Sequence, residues 1–122
     1  MGKSIKQLTK VIDDFCDARD GWENNEPNNL ITSTFIELGE LAEHYQWKNK
    51  FEKFNEEKKL MVGYEFVDVL FFLFRIASKS NIDIEKYFDM KVKKLEVKYK
   101  VGTDYQKQHE VYRKTGKSKK YE

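Results

Sequence analysis

The sequence predicts an all-α fold, a small four-helix bundle, and three observations carry that reading. Apolar residues recur at steps of three and four in four separate segments, the spacing that lines one face of a helix. A single Pro and six Gly, against 36% charged and 39% hydrophobic side chains, are too little turn punctuation for a strand-rich sandwich. A chain of 122 residues supports one modest core rather than two full-sized ones, so residues 1–122 are expected to form one helical domain.

The first helix is expected from Ser4, as N-cap, to about Arg19, with Ile5, Leu8, Val11, Ile12 and Phe15 on one stripe. Residues 21–29 collect Gly, Asn and Pro and read as a loop, with Pro27 at or just before the next helix. From about Asn28 to Trp47 the positions Ile31, Phe35, Leu38, Leu41, Ala42 and Tyr45 give a second helix. A third, from about Glu56 to Ser80, carries Val67, the run Val69 to Phe74, Ile76 and Ala77. It is apolar nearly all round and should be central. Asn81 or Asp83 caps a fourth helix with Ile84, Phe88, Val92, Leu95 and Tyr99 in register, which Gly102 ends. One more helical stretch is expected over residues 104–114. So apolar a third helix in so small a chain leaves hydrophobic surface that a homodimer, or a homotetramer built as a dimer of dimers, would cover.

The net charge of +2 hides an asymmetry: residues 91–122 hold eleven Lys and Arg against four Asp and Glu, which leaves twelve against seventeen in residues 1–90. The body is acidic and the tail, from about residue 100, is basic. A basic tail beside an acidic pocket suits a polyanion bridged by metal, and is equally a solvated helix face. Its aromatic interleaving, Tyr105, Tyr112 and Tyr121, is sparse and no nucleic-acid motif is present, so nucleic acid is not an expected partner. Cys16 is the only cysteine, which excludes an intrachain disulfide and a thiolate zinc site. The opening MGKSIKQLTK lacks the apolar core of a signal peptide, and Val69 to Phe74 is far short of the ~20 residues that span a bilayer. A cytoplasmic protein without a membrane partner is expected.

Four carboxylates carry the chemistry. Glu37 and Glu40 are three residues apart on the second helix, about 60° apart around its axis and within one turn. Glu65 and Asp68 repeat that spacing on the third, where Asp68 stands between Phe66, Val67, Val69 and Leu70. Two antiparallel neighbours would present all four to one cleft. An acid in an apolar helix face must shift its pKa, find a counterion or bind a cation. Arg75, seven residues on, is the alternative counterion for Asp68. An all-oxygen donor set suits Mg²⁺, with Mn²⁺ as substitute, and Mg²⁺ shares its octahedron with water and phosphate. Phosphate ester or anhydride chemistry follows. Di-iron bundles use Glu-x-x-His pairs, and neither His44, four residues after Glu40, nor His109 has that spacing.

The segments FCDARDGWENNEPNNLITSTFIELGELAEHYQW, EFVDVLFFLFRIASKSNIDIEKYF and KTGKSKKYE resemble MazG-like all-α nucleotide pyrophosphohydrolases, and within them dCTP pyrophosphatase-like proteins. The family's Glu-x-x-Glu followed by Glu-x-x-Asp is matched by Glu37, Glu40, Glu65 and Asp68. The resemblance implies Mg²⁺-dependent cleavage between the α and β phosphates of a nucleoside triphosphate, giving a monophosphate and pyrophosphate, with Glu37 or Glu40 orienting or deprotonating the water. It implies phosphate contacts from Lys91, and from Arg19, Lys94 and Lys98, and a base pocket drawing on Trp22 and Trp47, whose indole faces suit stacking. Lys117, Lys119 and Lys120 would fold over the triphosphate or meet a neighbouring subunit. The sequence departs from the family pattern at Asn25 (often His), Phe72 (Tyr), Leu95 (Asn) and Lys100 (Pro), so the metal set is intact while the base-reading set is altered. A house-cleaning role on dCTP-like or modified nucleotides is expected. The competing readings are a dUTP- or phosphoribosyl-ATP-directed relative, and a non-catalytic helical dimerisation module whose acids pair with Arg75 and lysines.

Overall fold

The computed structural model of the protein describes residues 2–19 and 25–115, which contain five α-helices and no strand. They fall into two compact units, Met1–Asp83 and Ile84–Glu122. The first holds α1 (Ile5–Asp17), α2 (Pro27–Glu43) and α3 (Glu56–Lys79), and the second α4 (Ile84–Lys98) and α5 (Tyr105–Thr115).

Helix α1 begins where the capping residue predicts. Ser4 Oγ accepts the Gln7 N–H at 3.1 Å and Gln7 Oε1 accepts the Ser4 N–H at 2.7 Å, a reciprocal capping box that satisfies two end donors. Ser4→Ala is therefore expected to destabilise the protein by about 1 kcal/mol, read as a lowered melting temperature; an unchanged one would mean that α1 frays without consequence. The stripe of α1 buries Ile12 and Cys16, and Phe15 meets Phe71 of α3 edge to face with ring centroids 5.6 Å apart.

Pro27 opens α2, where its missing N–H costs nothing. Leu30 is the most deeply buried large side chain of this helix, and Leu41 joins Val62 and Val69 of α3 in a cluster flanked by Tyr45 and Phe54. Helix α2 ends four residues before the expected Trp47: residues 44–47 form turns, and Trp47 adopts φ +68°. Asn55 then caps α3, its Oδ1 accepting the Lys58 N–H at 2.8 Å, with Glu56 and Glu57 complementing the helix dipole.

Helix α3 packs against both α1 and α2 and is central, as its composition requires. It is not covered all round, however. Val62, Val69, Phe72 and Phe74 are buried, while Phe66, Val67, Leu70 and Leu73 stay exposed, as do Ile31, Phe35 and Leu38 on α2. No described helix is long and apolar enough to cross a membrane.

In the second unit, Gly102 turns the chain at φ +87°, a backbone region where a Cβ is strained. Tyr99 lies against Tyr105 (4.7 Å) and Tyr112 (6.2 Å), and its hydroxyl shares a hydrogen bond with His109 Nδ1 at 3.2 Å. Asp104 Oδ1 accepts the Lys107 N–H at the start of α5. No residue of α4 or α5 is fully buried.

Candidate metal centre

Helices α2 and α3 position the four acids. Glu37 is half-buried, and its Oε2 is sealed from solvent without a hydrogen-bond partner. Its carboxyl is held above the ordinary carboxylate range first by burial, then by a hydrogen bond with the Glu40 carboxyl, then by the charges of Glu40, Asp68 and Glu65. All four predicted acids are thus felt at one point. A buried acid beside three others gives up its proton less readily than a free one.

Glu65 is the second acid turned inward. Its Oε2 is likewise buried without a hydrogen-bond partner, although His44 Nε2 stands only 2.6 Å away. That approach is an ion pair when the imidazole carries a proton, but it lacks the alignment of a hydrogen bond. Glu40 and Asp68 are exposed. The expectation that Asp68 is the desolvated member is therefore corrected: its neighbours Phe66, Val67 and Leu70 are exposed with it, because α1 and α2 cover only the other sides of α3.

Arg75 is corrected too. It does not neutralise Asp68: it is buried, donating from Nη1 to Asp13 Oδ1 at 2.7 Å, from Nη2 to Asp17 Oδ1 at 2.9 Å and from Nε to Asn25 Oδ1 at 3.0 Å. Among the described residues no lysine or arginine forms an ion pair with the four acids.

The donor set fits a hard divalent ion in chemistry. The buried Glu37 oxygen, which has no partner, is the kind of group a cation satisfies, and Mg²⁺ is usually bound through one or two carboxylates plus water and phosphate. Among the described residues no three His, Cys, Asp or Glu side chains converge closely enough to hold a metal by themselves. The remaining positions would fall to water and substrate.

The expected substrate contacts are more scattered. Trp47 is 93% exposed and lines a cleft of about 490 Å³ with Gln46, Lys48, Asn49, Lys50 and Glu52. A non-glycine residue held at positive φ stores backbone strain, which proteins tolerate most often at binding sites. The Arg19 guanidinium stacks 3.8 Å over the Phe15 ring and donates to the Phe15 carbonyl, so it is engaged with the end of α1. Lys91 is exposed on α4, and Lys98 sits over the rings of Tyr99 and Tyr112. Trp22, Lys117, Lys119 and Lys120 lie outside the described residues.

Sequence reasoning passed over His44 because its spacing is not that of a di-iron ligand. The signal was present nonetheless: four residues after Glu40 and seven after Glu37 is the same helical stripe.

The sequence matches the family model described as dUTPase over residues 3–122. Among curated proteins it is similar to dCTP pyrophosphatase 1 of Rattus norvegicus, 26% identical over 87 residues covering 68% of this chain and 51% of that protein. The Homo sapiens and Mus musculus proteins of the same name are each 27% identical over 85 residues, covering 66% of this chain and 50% of theirs. The chain spans about half the length of these relatives. With its all-helical fold and a family match covering nearly the whole sequence, the chain belongs to the dUTPase family of MazG-like, all-α nucleotide pyrophosphatases.

Proposed function

We propose that the protein is a divalent-metal-dependent pyrophosphohydrolase that converts a pyrimidine deoxynucleoside triphosphate to its monophosphate and pyrophosphate. The observation that carries this reading is Glu37, whose buried carboxyl oxygen has no partner while three further acids act on it. Glu37, Glu40, Glu65 and Asp68 would hold the metal, Mg²⁺ or in its place Mn²⁺. When bound, that ion neutralises charge on the triphosphate oxygens.

The rest falls to the chain. The hydrogen-bonded Glu37 and Glu40 carboxyls orient the attacking water and accept its proton. A bond forms from the water oxygen to the α-phosphorus, the bond from that phosphorus to the bridging oxygen breaks, and pyrophosphate leaves with the bridging oxygen. Trp47 supplies a face for the base. Trp47→Ala is expected to raise the Michaelis constant roughly tenfold with little change in turnover, in line with base stacking on an aromatic side chain. Equal constants for mutant and wild type would remove Trp47 from the pocket. Lys91 on α4, Arg19 and Trp22 are carried as further substrate contacts.

The family description names dUTP and the curated relatives name dCTP. The two share deoxyribose and a pyrimidine ring and differ in the exocyclic group at C4. The reading commits to that shared chemistry in a house-cleaning role, in a cytoplasmic setting that suits a lone reduced Cys16. A homodimer or homotetramer is part of the same proposal, since Phe35, Val67 and Leu70 are exposed on the two helices that carry the acids. A non-catalytic module with acids neutralised by Arg75 is disfavoured, because Arg75 is committed to Asp13 and Asp17. The test is pyrophosphate release from a panel of dUTP, dCTP, their modified and ribose forms, and phosphoribosyl-ATP. Release confined to pyrimidine deoxynucleotides is expected; no release from any substrate with Mg²⁺ or Mn²⁺ present would overturn the reading.

A further inference from the structure

Three lysines meet in one cleft of the second unit. Lys93, Lys94, Val97 and Lys98 follow one another on α4 at spacings that keep them on one side of the helix, within about 7.5 Å of its length. With Tyr112 of α5 they line a cleft of about 360 Å³, a size that suits a small ligand. No carboxylate among the described residues is part of that lining, and none forms an ion pair with Lys93 or Lys98. Lys98 is nonetheless half-buried. Its Nζ stands 4.8 Å from the centre of the Tyr112 ring and 5.4 Å from that of Tyr99. The ring faces attract the ammonium but carry no net charge, so a partly desolvated cation is still left to be balanced by an anion.

We propose that this cleft binds a phosphate anhydride chain, the oligophosphate of a nucleotide or free pyrophosphate, without a metal ion. Charge density selects that ligand class. Three ammonium groups in one small cleft call for several negative charges in a small volume, which linked phosphates have and a single carboxylate lacks. Lysine suits the task as a point charge with three donors and no acceptor. A nucleic-acid strand instead lies along an extended basic groove and is held over several nucleotides, more than a cleft between four residues of α4 and one of α5 accommodates. The family resemblance gave Lys94 and Lys98 a phosphate role in a metal-dependent reaction. The cleft joins Lys93 and Tyr112 to them and asks for no metal. Every residue in the proposal comes from α4 and α5, so it does not rest on the metal-dependent reading above.

The experiment is a calorimetric titration of the full chain in EDTA with inorganic pyrophosphate, dUTP and dUMP in turn. Without divalent ions the four acids repel these anions and no turnover occurs. Wild type is expected to bind pyrophosphate and dUTP, and to bind dUMP about tenfold or more weakly, because it lacks the anhydride chain. Pyrophosphate at least as tight as dUTP assigns the site to the free chain; tighter dUTP assigns it to the nucleotide. Lys93→Gln combined with Lys98→Gln should weaken both by about tenfold or more. Lys53→Gln combined with Lys79→Gln removes the same charge from exposed positions of the first unit and should change neither. If the first pair misfolds by circular dichroism, Lys93→Gln with Lys94→Gln takes its place, since both side chains are exposed. The proposal is overturned by no binding of either pyrophosphate or dUTP in EDTA, by binding that the cleft variants retain, or by an equal loss in the first-unit control. Binding of dUMP as tight as dUTP overturns it too, as does binding of a single-stranded oligonucleotide without pyrophosphate. Each of those results leaves the metal-dependent reading standing, which pyrophosphate release in Mg²⁺ decides separately.

Discussion

Glu37→Gln is expected to lower metal-dependent pyrophosphate release by about a thousandfold or more, the scale of losing a principal electrostatic group from an active site, and at the same time to make the metal-free protein more stable. The second effect follows from the direction of the Glu37 shift. Burial, the Glu40 hydrogen bond and the charges of Glu40, Asp68 and Glu65 raise its carboxyl above the ordinary value, so the folded chain holds a proton more tightly than the unfolded one. Stability from that proton is fully present below the unfolded glutamate value of about 4.3 and is lost as pH rises through the raised folded value. Above that raised value the ionised Glu37 works against the fold until a cation balances it, and Gln removes the charge while keeping the shape.

In EDTA, thermal melts should show the variant above wild type near pH 8 and the two converging near about pH 4. Adding Mg²⁺ should raise the wild-type melting temperature by selective binding to the folded state and leave the variant where it was. Glu40→Gln and Asp68→Asn are expected to abolish release as well, but with a smaller gain in metal-free stability, because both residues are exposed and Glu37 is not. Retained activity in Glu37→Gln, or melting curves that stay parallel across the pH range, would sink the metal assignment.

Much of this arrangement was legible in the sequence. The helical stripes, the Ser4 cap and the centrality of α3 are local consequences of residue spacing. So is the pairing of Glu37 with Glu40 and of Glu65 with Asp68. The burial of individual acids was not legible. A helix that is apolar nearly all round does not say which side its own chain covers, and Asp68 falls on a side left open together with Phe66, Val67 and Leu70. The end of α2 was obscured for a related reason: Ala42 and Tyr45 continue the helical stripe, and neither Gly nor Pro marks the stop. Tyr45 instead leaves the helix to pack near Phe54 and the Leu41 cluster.

Arg75 shows the same limit of local spacing most clearly. Seven residues from Asp68 it lies on the same stripe, yet its partners are Asp13 and Asp17, 62 and 58 residues away, and Asn25. Such pairings belong to tertiary packing and leave no periodic trace. The one hint is that Asp13 and Asp17 are four apart on α1, a spacing that aims two carboxylates at one cation.

Arg75→Ala is expected to be the most destabilising single substitution in the first unit, by about 3–5 kcal/mol. The guanidinium side chain is 3% exposed. Burial pushes its pKa down, but hydrogen bonds to Asp13 and Asp17 outweigh this and leave it raised, so it is charged at every accessible pH. Removing it empties a packed volume and strips Asp13, itself 24% exposed, of its counterion, while Ser78 Oγ still donates to Asp13 Oδ2. Against a total of about 5–15 kcal/mol for a typical domain, this should lower the melting temperature by more than about ten degrees. Arg75→Lys keeps the charge but cannot reach three acceptors in different directions, so it should fall between wild type and Ala. Asp17→Asn should cost no more than about 1 kcal/mol, because the Asp17 side chain is 67% exposed and water screens the pair. The order Ala, then Lys, then Asp17→Asn is the measurement, read by chemical denaturation. Mg²⁺ affinity per folded molecule separates the two possible roles of Arg75. With the guanidinium on α1, its loss leaves cation binding unchanged. A guanidinium on Asp68 would compete with the ion, and its loss would tighten binding.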